Sequence, residues 1–213
     1  MNCALNNIGI GAMFLLNLKR RPERLAHALK QFENVGIKDF ILWEAVDAKT
    51  LGLKSDLLEI TPGMVGCYQS HRNIMKYCLD NNIDSYIVFE DDVEFIPGFN
   101  ELCQLMIDTI PSDWEFVYWG STEHLNGPCL KEVSDLWVVP RSVWGTQCFM
   151  MKDMQTIKKV YDALEKMQMQ IDCQLSQLTL KQQQVKHYAC SPSIVGQLFE
   201  IGSDIQQRNQ SIQ

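Results

Sequence analysis

Glu90, Asp91 and Asp92 stand together in the stretch SYIVFEDDVEF, residues 85–95. Adjacent carboxylates repel one another, and short, hard oxygen ligands of this kind suit Mg2+ or Mn2+. Two of them neutralise one divalent ion, which in turn can clamp a diphosphate and stabilise its charge as a leaving group. A solvated turn that happens to carry three acids is the plainer reading of the same residues. Three other groups have chemistry to offer. The run NLKRRPERL starts at Asn17 and concentrates Lys19, Arg20, Arg21 and Arg24 in an otherwise acidic chain. Its arginines could fork onto phosphates, or form a solvated helix face. TPGMVGCYQSHRN, residues 61–73, opens a helix with Gly63 and Gly66, and free N–H groups at such an end favour a phosphate. His71 lies on the apolar stripe of that helix, as either a core histidine or a ligand. Asp172, in QIDCQL, is a carboxylate at the start of a late helix, where its common use is as an N-cap.

The elements that must position these groups read as a strand–helix alternation. AMFLLNL is a buried strand ending near Asn17. Pro22 suits the first turn of a helix with Leu25, Leu29 and Phe32 on one face and Gly36 past its end. DFILWEAV is a second strand, and the pair argues for an α/β unit with parallel strands. Thr61 and Pro62 start a helix reaching about Leu79, SYIVF is a third strand, and GFNELCQLMIDTI is an amphipathic helix. WEFVYWG, LWVVP, GTQCFMM and VKHYAC follow as strands, with helices over 153–167 and from Ile171. The acidic triplet therefore falls at the carboxyl end of a strand, where open α/β sheets bind ligands.

The 213 residues suit one domain, residues 1–213, with flexible ends at 1–12 and 206–213. A net charge of −7 argues against a nucleic-acid partner. No apolar run reaches the roughly 18 residues of a membrane span, and the start of the chain lacks the basic flank of a signal peptide. The eight cysteines show no zinc-ligand spacing and sit mostly in apolar periodic segments, which favours a reducing compartment.

The ordered series NLKRRPERL, WEAVDAKT, GMVGCYQSHRNI and SYIVFEDDVEF resembles glycosyltransferase family 25, the lipopolysaccharide galactosyltransferase-like enzymes. WEFVYWG, GTQCFMM, IDCQL and SPSIVGQ…GSDI continue the resemblance over most of residues 13–205. It implies a GT-A-type, Rossmann-like nucleotide-binding fold with a mixed, mostly parallel sheet flanked by helices. It also implies inverting, Mn2+- or Mg2+-dependent transfer of galactose or glucose from a UDP-sugar to a glycan or glycolipid acceptor. Carried over position by position, Glu90, Asp91 and Asp92 are the metal and diphosphate motif, with Asp92 and Glu90 as metal ligands. Asn17, Arg21, Arg24, Asp47 and Ser70 lie along the nucleotide site, and His71 stands near the donor. Asp172 is the expected base, with Glu200 and Asp204 as substitutes. Phe149 replaces a tyrosine common in the family. A cytoplasmic enzyme of lipopolysaccharide synthesis, meeting the inner face of the membrane through its acceptor, is the leading expectation. A collagen-type hydroxylysine galactosyltransferase, a metal-dependent nucleotidyltransferase and a non-catalytic relative that binds a sugar nucleotide are the alternatives.

Overall fold

The computed structural model describes residues 3–57, 59–121, 129–180, 185–198, 202, 204 and 205. The first apolar run becomes β1 (Ala12–Asn17), and it pairs in parallel with β2 (Ile41–Glu44) on one side and β3 (Tyr86–Glu90) on the other. Antiparallel β8 (Cys148–Met151) is inserted between β3 and β5 (Phe116–Gly120). Beyond β5 lie β9 (His187–Cys190), β7 (Trp137–Val139) and β6 (Lys131–Glu132), giving the order β2-β1-β3-β8-β5-β9-β7-β6. Only β8 and β7 run against the remaining strands, so the sheet is mixed and mostly parallel, as expected. A separate pair joins β4 (Val93–Phe95), the continuation of the acidic motif, to β10 (Val195–Gln197).

Alternation along β1 explains the layers. Met13 and Leu15 face a core shared with Phe32 of α1 (Pro22–Val35) and with Phe99, Cys103 and Met106 of α3 (Phe99–Thr109). Phe14 and Leu16 face the opposite core, with Tyr68, Ile74 and Met75 of α2 (Pro62–Asp80), Ile157 of α4 (Met154–Ala163) and Leu175 of α5 (Ile171–Leu180). A strand covered on both faces needs a continuous apolar run rather than an alternating one, which is what β1, β3, β5 and β8 carry.

The helix ends follow local chemistry. Thr61 accepts from the Met64 N–H, Asp153 accepts from the Thr156 N–H, and Gly36 closes α1 at φ 83°. Two expectations change. The buried stripe of α1 is Arg24, Ala28, Phe32 and Val35, and Leu29 is exposed. The stripe is rotated because Arg24 must point inward to meet acids beneath it. The start of the chain is not loosely attached either. Residues Ala4–Asn7 form a 3-10 turn, and Cys3 and Leu5 are buried in the core beside α3. These side chains fill the space between α1 and α3, so their apolar area fastens the segment.

Candidate functional site

The carboxyl ends of β1, β2 and β3 open on a cavity of about 190 Å³ lined by Arg20, Arg24, Asp47, Cys67, Glu90, Asp91 and Asp92 among others. Arg24 is the centre of its floor. Its Nε donates to Asp91 Oδ1 at 2.6 Å, its Nη2 pairs with both Asp91 and Asp92, and its Nη1 donates to the Gly202 carbonyl at 2.8 Å. Asn17, at the end of β1, donates from Nδ2 to Asp91 Oδ2 at 2.7 Å and to the Arg21 carbonyl at 3.2 Å. Gln197 of β10 donates to Asp92 Oδ2 at 2.9 Å. Asp92 Oδ1 is buried with no hydrogen-bond partner. An acceptor atom buried without a donor carries a desolvation cost, which a bound cation would offset.

Burial, then the neighbouring Glu90, pushes the Asp92 carboxyl up to about 6. Burial also raises Asp91, although Arg24 works against it. Glu90 spends its Oε1 on other partners. Its Oε1 lies 3.0 Å from His71 Nε2, 3.8 Å from Cys67 Sγ and 2.5 Å from Thr146 Oγ1. Burial opposes its ionisation, yet these hydrogen bonds, led by that of His71, hold its pKa below the usual glutamate value.

The basic cluster is bridged by acids from two directions. Arg20 Nε donates to Asp47 Oδ2 at 2.7 Å, and its Nη2 lies 2.8 Å from Asp204 Oδ1. Arg21 pairs with Asp204 and with Glu23. Thr61 Oγ1 donates to the Ile205 carbonyl at 3.4 Å, so Gly202, Asp204 and Ile205 form a strap over the cavity. The strap is tied down at these residues because the chain's one basic cluster attracts Asp204.

Several assignments shift in role. Ser70 is wholly buried. It donates to the Gly66 carbonyl at 2.6 Å and accepts from the Val46 N–H at 2.8 Å, so it holds the Asp47 loop against α2. His71 is also wholly buried and is not among the residues lining the cavity, and neither are Asn17 and Arg21. These side chains hold the acids and the strap from behind. The glycines of α2 do not leave a phosphate cradle. A Cβ at Gly63 would stand 2.2 Å from the Asp204 carbonyl oxygen, and one at Gly66 would stand 2.4 Å from that of Val46. Pro62 offers no N–H, and the Met64 N–H is already capped. Both glycines are there for close packing.

Asp172 lies within the first turn of α5 rather than at its cap. Its Oδ2 accepts from the Gly145 N–H at 2.9 Å and its Oδ1 from the Cys173 N–H at 2.7 Å. Burial raises its pKa against those two bonds, and Glu90 adds to the rise. Glu200 lies outside the described residues. Sequence reasoning left Arg20 out of the site and did not name Cys67, Thr146 or Gln197. Arg20 was visible in the basic run, and Cys67 was visible in its spacing to His71. Thr146 and Gln197 arrive through strand pairings that no local pattern records. Phe149 stacks on Phe116 at 5.0 Å and lies 5.2 Å from the His71 ring.

The profile of glycosyltransferase family 25 (LPS biosynthesis protein) matches residues 11–175, which takes in the ends of β1, β2 and β3 around the cavity. The chain belongs to glycosyltransferase family 25. Human procollagen galactosyltransferase 2 is 31% identical to this family 25 chain over 134 residues, covering 54% of the chain and 21% of the human protein. The mouse inactive glycosyltransferase 25 family member 3 is 32% identical over 135 residues, again 54% of the chain and 23% of that protein. The chain thus spans under a quarter of the length of these relatives. Among solved structures, a glycosyltransferase involved in glycosylation of the major capsid of PBCV-1 superposes with a TM-score of 0.50 at 9% identity, covering 89% of this chain and 93% of that one. That likeness is one of fold. It agrees with the GT-A-type, mixed and mostly parallel sheet.

Proposed function

We propose that this family 25 chain is an inverting, metal-dependent hexosyltransferase that moves galactose or glucose from a UDP-sugar to a hydroxyl of a glycan or glycolipid acceptor. The observation that carries this reading is the unpartnered, buried Asp92 Oδ1 in a cavity that Glu90 also lines and where Asp91 and Asp92 meet one buried cation, Arg24. Asp92, with Glu90 beside it, would hold Mn2+ or Mg2+. When bound, such an ion stabilises negative charge on the departing UDP diphosphate. Arg20 and Lys49 line the same cavity and bind the donor's phosphates, and Asp47 faces the nucleoside.

Asp172 acts as the base. Each of its oxygens accepts one N–H and keeps a second lone pair, and its raised pKa brings it closer to the operating pH. The acceptor oxygen bonds to the anomeric carbon as the bond from that carbon to UDP breaks. The hydroxyl proton goes to Asp172, and the electron pair leaves on UDP. The family description supports a lipopolysaccharide acceptor, and the name of the human relative supports galactose and a collagen-type acceptor. Cytoplasmic synthesis at the inner membrane face goes with the first.

A screen for UDP release across UDP-sugars, with and without Mn2+, tests the proposal. Mn2+-dependent UDP release with one hexose is expected. Pyrophosphate release from a nucleoside triphosphate and a sugar phosphate, assayed beside the screen, would instead identify a nucleotidyltransferase. Stabilisation by UDP and Mn2+ without turnover would place the chain with the inactive relative.

A further inference from the structure

The acids of the floor are not the only ligands there. Cys67 and His71 are four residues apart on α2 and so share one face of the helix, where Glu90 meets them from the end of β3. The ligand atoms of these three side chains all lie within 4.8 Å of one another. We propose that Cys67, His71 and Glu90 form a binding site for a borderline-soft divalent ion of the zinc class, adjoining the hard-ion position at Asp92 and sharing Glu90 with it.

The distances support a tetrahedral ion. With Zn–S near ~2.3 Å and Zn–N and Zn–O near ~2.0–2.1 Å, the edges of a zinc tetrahedron are roughly 3.4–3.6 Å. The present separations are 3.0 Å from His71 Nε2 to Glu90 Oε1 and 3.8 Å from Cys67 Sγ to the same oxygen. These two lie within about half an ångström of those edges, and the third, from Cys67 Sγ to His71 Nε2, is within 4.8 Å. Sulfur and imidazole together select Zn2+ or Co2+ over Mg2+ and Mn2+. Thr146 Oγ1 donates to Glu90 at 2.5 Å and fixes the carboxylate from outside the cluster, an arrangement common around metal ligands. Cys67 and Glu90 line the cavity while His71 closes its back, so the fourth coordination position opens toward ligand.

The charges also fit. Arg24 pairs with Asp91 and Asp92 only, and the charge of Glu90 bears on both Asp92 and Asp172, so negative charge at this wall exceeds what Arg24 offsets. Binding forms the Cys67 Sγ–metal bond and releases the thiol proton to solvent. The proton through which His71 Nε2 bonds Glu90 moves to Nδ1, and the freed Nε2 lone pair takes the ion.

Titrating metal-free protein with Co2+, without donor or acceptor, tests this. Tetrahedral ligand-field bands and a thiolate-to-cobalt charge-transfer band should saturate at one ion per chain and disappear on adding Zn2+, not Mn2+. Cys67→Ser should abolish the charge-transfer band, Glu90→Gln should weaken Co2+ binding at least tenfold, and Cys129→Ser should change neither, with far-UV circular dichroism unchanged throughout. X-ray absorption of the zinc-loaded natural chain, which needs no variant, should show a single sulfur ligand. Absence of the charge-transfer band, its survival in Cys67→Ser, or a zinc shell without sulfur would overturn the proposal. The transferase reading shares Glu90 but not this readout, since UDP release can persist whichever way the cobalt spectra fall.

Discussion

Arg24 and Asp91 are joined by a 2.6 Å bond from Nε to Oδ1 across 67 residues of chain. This bond brings the first helix onto the acidic strand end. Both side chains are about 8% exposed, so neither charge is relieved by water. Breaking such a pair strands a buried carboxylate. Arg24→Met should cost about 3–5 kcal/mol of stability, read by urea unfolding. Arg24→Lys should recover only part of this, because an ammonium cannot fork between Asp91 and Asp92. Stability of Arg24→Met within 1 kcal/mol of the parent would show that the acids are compensated elsewhere.

Asp92 should trade stability for ion binding. Its carboxyl titrates at about 6 in the fold, above the ordinary aspartate value near ~3.9. The raised value means that the protonated form is favoured on folding. That stabilisation is fully present below about pH 4 and is lost as pH rises through about 6, an amount of roughly 3 kcal/mol at most. Asp92→Asn should flatten this part of the pH–stability profile in the metal-free protein. The same substitution should abolish Mn2+-dependent transfer with the fold intact. Normal transfer by the variant in Mn2+ would remove Asp92 from the ligand set.

Asp172→Asn should lower kcat by about 10²- to 10⁴-fold with little change in KM for the donor, the expected loss for a base. Because burial raises the pKa of Asp172, the acid limb of the kcat profile should lie above the usual aspartate range and vanish in the variant. A drop in stability with kcat retained would instead mark Asp172 as a brace for the Gly145 loop.

The strap competes with the donor for Arg20. Asp204 is held ionised by Arg20 and Arg21 against its own burial, which makes it a poor base and a good stand-in for a phosphate. A cavity of about 190 Å³ is also smaller than the ~300–1,000 Å³ usual for ligand pockets, so the strap must yield to admit a sugar nucleotide. Asp204→Ala should therefore tighten UDP binding several-fold in calorimetry while leaving kcat near that of the parent. Gly63→Ala, whose Cβ would collide with the Asp204 carbonyl, should act in the same direction. Weaker UDP binding in both variants would identify Asp204 as a donor contact.

The strands and helices were legible because their signals are local. Pro22 with Gly36, Thr61 with Pro62, and the capping Asp153 each mark a boundary through bonds to near neighbours. The resemblance located the carboxylates, Asp47 and the basic run around one cavity. Roles were harder to read than places. Ser70 and Asn17 look like ligand contacts in sequence, yet their hydrogen bonds are spent on Val46 and Asp91, partners 24 and 74 residues away. Arg24 belongs to an apolar stripe only because Asp91 and Asp92 lie beneath it. The insertion of β8 between β3 and β5, which brings Thr146 to Glu90, depends on long-range pairing that no single segment encodes.

The contact between Arg21 and Asp204 spans 183 residues. Contacts this distant cannot form until nearly all the intervening chain exists, and long loops close late. During synthesis the sheet strands before residue 121 can pair while the cavity at their carboxyl ends still lacks its cover. The cavity is therefore expected to be among the last parts to mature. A nascent chain arrested before residue 202 should already resist proteolysis over β1 to β3 and, lacking Asp204 as a competitor for Arg20, hold UDP more tightly than the full chain.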